Sequence, residues 1–487
     1  MKIAIITSEA IPFSKTGGLA DVTGSLYREY LKMGHEAFLI TPLYRKTFQN
    51  FKNYIEETRL GFDIYLAKDV KHCRIFRYKK NEDIRLKSQE NIFFIENEEF
   101  FDREELYGDS SAEYEDNAVR FAFFCRSSLE LIKNLDLKFD IIHCNDWQTG
   151  LIPIYLKTIY SGIQGFKNIR TVFTIHNLAY QGLFPSDCLD ITGLGNEIYH
   201  MEGIEFYGKI SYLKAGIISA DVITTVSDSY AKEFMTPEFG FSMDGILRKR
   251  ADRVHGIING ISYKEWDPGK DPYIAANYNR TRLSGKIKNK EELLKRCSIK
   301  GDTDKPLLSF IGRLSYQKGI ELIISSLDES FMKEANIVII GNGKNEYQGA
   351  LIDLKERFPD SVFFYNGFDE SFAHLTYAGA DVFLMPSRYE PCGLGQMIAM
   401  RYGTIPVARK TGGLNDTIED GKTGFLFDEF SKEAFSITLK IAINSYKFKK
   451  LWHEMVKKAM GVDFSWKKSA EKYLSLYSEL HQGLKNE

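Results

Sequence analysis

No stretch of this 487-residue chain approaches the ~18 consecutive apolar residues of a membrane span, so no transmembrane helix is expected. The apolar opening MKIAIITSEA is broken by Thr7, Ser8 and Glu9 and reads as a short β-type run rather than a signal peptide. A surplus of one charge sign is also missing. Lys and Arg number 64 against 66 Asp and Glu, a formal net charge of −2, which argues against a polyanion-binding surface and a nucleic-acid partner. An anionic small ligand would have to be met by a few placed cations. The six cysteines (Cys73, Cys125, Cys144, Cys188, Cys297, Cys392) form no CxxC pair and no metal-finger spacing, so they read as reduced, mostly buried thiols of a cytoplasmic protein. Trp is scarce at 4, but 27 Tyr and 35 Phe bring aromatics to 14%, which suits core packing and sugar stacking alike.

Other absences narrow the chemistry. There is no Walker loop, and Gly17-Gly18 does not fit G-x-G-x-x-G, which disfavours a nicotinamide enzyme. The sole Asp-x-Asp, Asp302-Thr303-Asp304, precedes a strand-like run instead of following one, so an Asp-x-Asp metal site is poorly supported. Glu390 faces no second carboxylate at a fixed spacing, which speaks against a two-carboxylate glycosidase. No low-complexity tract or short-period repeat is visible.

What is present is the balance of a globular protein of two or three domains, 44% hydrophobic and 27% charged. Strand, loop and helix patterns alternate. Residues 2–7 predict a buried parallel strand, 21–33 a helix ending at Gly34, and 37–41 a second strand ending at Pro42. Residues 44–115 are less regular and charged, with strand-like pieces such as 91–95, and read as a peripheral insertion. Alternation returns with strands at 139–143, 170–175 and 220–226, ending in the loops that carry Asp146, His176 and Ser227. The crossing HGIINGISY reads as a hinge, and a second α/β series follows with strands at 306–311, 335–340, 361–365, 380–385 and 404–408. The expected organisation is a first lobe over 1–255, a second over 256–463, and a C-terminal amphipathic helix over 464–487 that packs back on the first.

Polar, glycine-bearing loops after parallel strands lie at the sheet edge where α/β proteins bind ligands. The stretch Lys-Thr-Gly-Gly-Leu-x-Asp occurs twice, at 15–21 and 410–416. Both Gly-Gly pairs (Gly17 and Gly18; Gly412 and Gly413) lack Cβ atoms, so bare backbone N–H groups can approach a ligand; in the first copy Lys15 adds a mobile charge and Asp21 opens a helix-like segment. In the second lobe, Arg313 offers a planar fork for phosphate and Lys318 a point charge five residues on, in a loop with glycine at each end. Glu390, in Arg-Tyr-Glu-Pro-Cys-Gly-Leu-Gly, is placed to accept sugar hydroxyls beside a helix start; the plainer reading is a helix N-cap acid. His176 is a candidate donor to a hydroxyl or a developing charge, Asp146 shares its edge, and Asn259 in the hinge is a candidate ligand or simply an Asn-Gly turn.

The pieces KTGGLADV, HCNDWQTGL, TIHNLAYQG, TTVSDSYAKE, IINGISY, IGRLSYQKG, RYEPCGLGQMIAMRYG and ARKTGGLNDT, in this order from Lys15 to Thr417, give a chain that resembles the bacterial glycogen synthases and plant starch synthases over nearly its whole length. The resemblance implies a GT-B fold, two Rossmann-like lobes facing across a deep cleft. It also implies transfer of glucose from ADP-glucose to the non-reducing end of an α-1,4-glucan, with retention and without a metal or other cofactor. By this likeness Lys15, Arg313 and Lys318 hold the diphosphate. Glu390, with the backbone around Cys392, Gly393 and Leu394, grips the donor glucose, and His176, Asp146 and Asn259 complete the sugar site. Its implied partners are ADP-glucose and glucan, with no nucleic acid or membrane, and the oligomeric state is left open. Three positions depart from the family pattern: Gly395 stands for the usual Thr, Asp228 for Pro, and Ile398 for a second Glu common in retaining GT-B enzymes.

Overall fold

The computed structural model describes residues 1–79, 91–109, 112–300 and 303–486. The chain forms two compact units, one of Met1–Val226, Ala231–Ile257 and Ser469–Glu487, the other of Ser227–Tyr230 and Ile258–Lys468. The main crossing between them, Ile257 to Ile258, falls inside HGIINGISY. Asp302 of the Asp-x-Asp lies outside the described residues.

The first unit is built on strands β1 (Lys2–Ile6), β2 (Glu36–Pro42), β3 (Ile55–Leu66), β4 (Asp69–Tyr78), β5 (Asn91–Glu96), β6 (Ile141–Asn145) and β7 (Arg170–Ile175). A small antiparallel sheet of β8 (Leu183–Pro185), β9 (Glu205–Phe206) and β10 (Lys209–Ser211) follows, then β11 (Val222–Thr225) and β12 (Val254–Gly256). The main sheet runs β12-β11-β7-β6-β1-β2-β5-β4-β3, parallel from β12 to β5 and antiparallel over β4 and β3. The irregular segment expected as an insertion therefore extends the main sheet. Its pattern is weak because β3 is an edge strand with alternate residues exposed.

Strand β6 runs to Asn145, two residues past its expected end. Cys144 and Asn145 read as loop, yet both are buried and paired in register with Phe173 and Thr174 of β7. Burial of His143 is tolerated because Nδ1 meets the Tyr477 hydroxyl at 2.7 Å and Nε2 the Thr174 hydroxyl at 2.6 Å. Tyr477 comes from the C-terminal helix Trp466–Asn486 and also reaches the Tyr30 hydroxyl at 3.1 Å.

The second unit carries β13 (Leu307–Ile311), β14 (Asn336–Gly341), β15 (Val362–Asn366), β16 (Val382–Met385), β17 (Ile405–Arg409) and β18 (Phe425–Phe427), all parallel in the order β15-β14-β13-β16-β17-β18. Continuous β-branched and aromatic runs such as NIVIIG are fully buried, as a sheet covered on both faces demands.

Candidate functional site

In each sheet the chain leaves the central strand in both directions, and loops after the two strands at such a switch point border a ligand crevice. In the second unit these strands are β13 and β16, and their loops are 312–319 and 386–394. Gly319, at φ +64°, lets the loops meet: a Cβ there would stand 2.0 Å from the Pro386 carbonyl oxygen. Arg388 N–H donates to the Gln317 carbonyl at 2.9 Å, and the Arg388 guanidinium bonds Glu321 at 2.7 Å between the rings of Tyr316 and Phe430.

This scaffold brings together two of the expected residues. Lys318 Nζ lies 2.5 Å from Glu390 Oε2, and Ser387 Oγ donates to the same oxygen at 2.9 Å. Glu390 is buried at 5% exposure, five residues before the helix Gly395–Arg401, so it is not that helix's N-cap. Arg313 is exposed, and among the described residues its guanidinium makes no hydrogen bond or ion pair. Gln396 Nε2 donates to the carbonyls of Cys392 and Gly393 at 3.0 and 2.9 Å, fixing the turn that ends in Leu394. Asn259 hydrogen-bonds the buried Cys392 thiol, which burial pushes up to about 12, so this cysteine stays protonated.

The second Gly-Gly pair faces protein, contrary to the ligand-facing role expected of it. Gly412, at φ +44°, and Gly413 would place Cβ atoms 2.1 Å from the Glu390 and Cys392 carbonyl oxygens respectively, and Gly413 N–H donates to Glu390 O at 3.0 Å. This copy packs its backbone directly against the Glu390 loop. At Gly395 a Cβ would meet Phe383 at 2.9 Å, so the space a threonine would need is filled by that ring and Tyr377.

In the first unit the switch point lies between β1 and β6. The helix Gly18–Lys32 starts three residues earlier than its pattern suggested, with Gly17 as N-cap. Cβ positions at Gly17 and Gly18 face open space, but the N–H groups of Thr16 and Gly17 are not bare: both donate to Glu9 Oε2, at 2.5 and 3.3 Å. Lys15 Nζ lies 2.8 Å from Asp21 Oδ1, whose carboxyl burial raises and Lys15 draws back down. After β6, Asp146 takes the left-handed region at φ +55°, strain that a non-glycine residue bears where surroundings fix it. Its Oδ1 accepts the His176 N–H at 2.7 Å, and burial, helped by the charge of Glu9, lifts its carboxyl to about 7.

His176 is placed beside Asp146, at the sheet edge where it was expected. Burial lowers its imidazole to about 3, so the ring is neutral. Its Nε2 lies 3.0 Å from Asn145 Oδ1, while Asn145 Nδ2 is committed to the Ile6 and His143 carbonyls. The ring proton therefore sits on Nε2, and Nδ1 is left to accept. Glu9, Asn145 and Ser387 were missed in the sequence because none forms a spacing pattern; position at or just past the carboxyl end of a switch-point strand is the signal they share.

Two units built on largely parallel sheets, with such loops at their switch points, have the architecture of the GT-B glycosyltransferases. A family described as the starch synthase catalytic domain matches residues 2–249, and the glycosyl transferases group 1 family matches 291–460. The glycogen synthase of Thermodesulfovibrio yellowstonii is 47% identical over 99% of this chain and 98% of its own length, and that of Geotalea daltonii 43% over 98% of each. The catalytic domain of starch synthase IV from Arabidopsis thaliana, solved with ADP and acarbose, superposes with a TM-score of 0.87 at 32% identity, covering 99% of both chains. A sucrose-phosphate synthase from Thermosynechococcus elongatus, at TM-score 0.60 and 16% identity over 99% of each chain, shares the fold. The chain belongs to the glycogen and starch synthase family and is a glucosyltransferase.

Proposed function

We propose that this protein transfers glucose from ADP-glucose to the non-reducing end of an α-1,4-glucan, elongating glycogen with retention of configuration, in the cytoplasm and without a metal. The observation that carries the reading is the Lys318–Glu390 pair at the second switch point, with the unpartnered fork of Arg313 in the loop it shares with Lys318. Arg313, Lys318 and Lys15 hold the diphosphate and stabilise its growing charge as the bond from glucose C1 to the phosphate oxygen breaks. Glu390 and the backbone of 392–394 hold the donor glucose, with His176 Nδ1, Asp146 and Asn259 taking sugar hydroxyls. The acceptor hydroxyl attacks C1 from the face the diphosphate leaves, and its proton passes to a phosphate oxygen. ADP bound to the Arabidopsis structure supports the nucleotide, and its acarbose a glucan-like acceptor. Among the described residues no helix is long and apolar enough to cross a membrane.

Incubation with glycogen and either ADP-glucose or UDP-glucose, with assay of released nucleoside diphosphate and of glucose added to the polymer, tests this. Glucan-dependent ADP release with matching chain growth is expected. Release only from UDP-glucose, or with no glucan growth, would overturn it.

A further inference from the structure

The Glu9 carboxylate is 3% exposed and receives four donors. Oε2 accepts from Thr16 N and Gly17 N at 2.5 and 3.3 Å; Oε1 accepts from Thr16 Oγ1 and Tyr107 OH, both at 2.7 Å. Its own carbonyl accepts from the hydroxyls of Thr7 at 2.8 Å and Thr23 at 2.7 Å, so the residue is anchored to the turn directly after β1 and to the helix Gly18–Lys32. Tyr107 also meets Ser8 Oγ at 2.8 Å, and burial beside Glu9 keeps its phenol protonated.

An ionised carboxylate offers about four lone-pair sites in its plane, two on each oxygen, and so can receive several donors at once. Here it fixes two consecutive N–H groups directly after Lys15, while the Cβ sides of Gly17 and Gly18 stay open. The consequence is a loop held by its N–H groups and bare on its glycine face, with the Lys15 ammonium projecting from a backbone that cannot reorient.

We propose that Glu9, locked by Tyr107, is a positioning residue that holds the 15–18 loop in the conformation that binds the donor. The proposal rests on the assignment of Lys15 to the donor diphosphate. Glu9 touches no reacting atom in this scheme and acts through Lys15 and the glycine backbone.

Side-chain chemistry separates this role from simple support of the fold. In Glu9→Gln the amide oxygen can face the two backbone donors, which only donate, while the amide nitrogen faces the Thr16 and Tyr107 hydroxyls, which can rotate to accept. Glutamine thus preserves the geometry and removes the charge, whereas alanine removes both.

Steady-state kinetics of the full chain with ADP-glucose and glycogen, beside each variant's melting temperature, form the test. Glu9→Ala should lower kcat/KM for ADP-glucose on the order of 10²-fold, the scale of a misplaced binding group, and leave the KM for glycogen unchanged. Glu9→Gln should recover most of that loss. Adding Lys15→Ala to Glu9→Ala should cost clearly less than the product of the two single losses, because part of the Glu9 effect runs through Lys15. Normal donor kinetics in a folded Glu9→Ala protein, or losses that multiply in the double variant, would overturn the proposal. Should Glu9→Ala fail to fold, Tyr107→Phe removes one of the four donors and should lower donor kcat/KM several-fold with glycogen KM unmoved; unchanged donor kinetics there overturn it equally. Lys15→Ala with normal donor kinetics would instead sink the donor-site assignment itself.

Discussion

Lys318 Nζ and Glu390 Oε2 are 2.5 Å apart, although the two residues lie 72 positions apart in sequence. Their loops follow β13 and β16, strands that the crossover topology makes neighbours. On the proposed function each group thus has two duties, one to the ligand and one to the other. Lys318→Ala should cut kcat on the order of 10²–10³-fold by removing a preorganised cation. It should also cost up to about 3–5 kcal/mol of stability, since Glu390 is left buried without its counter-charge. Lys318→Met combined with Glu390→Gln should recover the melting temperature and none of the turnover. Near-normal turnover in either variant would place the active site elsewhere.

Gly395 gives a packing prediction. A Cβ there would stand 2.9 Å from Phe383 Cε1 and 3.4 Å from the Tyr377 hydroxyl. Gly395→Thr restores the residue usual in the family, yet here it should overpack and destabilise by about 1–3 kcal/mol. Adding Phe383→Leu should relieve much of that. Thermal melts of the three proteins decide it; an unchanged melting temperature in Gly395→Thr would mean the ring moves aside at no cost.

Which of these features could be read in the sequence follows from their physical origin. The lobes were legible because buried parallel strands are continuous apolar runs, and the loops after them carry the glycines and cations of 312–319 and 386–394. The duplicated Lys-Thr-Gly-Gly-Leu motif was legible as a repeat but not as a role. The first pair faces open space and the second is filled by carbonyls of Glu390 and Cys392, a difference set wholly by tertiary neighbours. Glu9 entered the sequence reading only as a polar break in an apolar opening. Its function depends on Thr16, Gly17 and a tyrosine 98 residues away. The His176 tautomer was equally hidden, because Asn145 sets it through hydrogen bonds to two carbonyls.

Metal dependence is the third prediction. Arg313 is exposed and Lys318 partly so, which leaves two cations able to meet a diphosphate directly, and among the described residues no group of three or more His, Cys, Asp or Glu is arranged to hold a metal. Turnover with ADP-glucose and glycogen should survive excess EDTA. A complete loss that Mg²⁺ or Mn²⁺ restores would overturn the metal-free scheme.

The last prediction concerns Asp146 and pH. Burial holds its carboxyl at about 7, above the ~3.9 of an exposed aspartate. The folded protein therefore binds this proton more tightly than the unfolded chain does. Its contribution to stability is fully present below about pH 4 and is lost as pH rises through about 7, the reverse of a carboxylate in a salt bridge. The slope can reach about 1.4 kcal/mol per pH unit within that window. Asp146→Asn removes the titration while keeping an acceptor oxygen for the His176 N–H, so the variant should gain stability relative to wild type between pH 5 and pH 8. Other titrating groups are common to both proteins and cancel in the difference, and a fixed penalty from the Asn177 N–H facing the new amide shifts the offset without changing the slope. Melting temperatures of both proteins at pH 5, 6, 7 and 8 give the measurement. A difference that stays flat across the series would show that Asp146 is ionised throughout and that its strained loop is held open enough for water to solvate the charge.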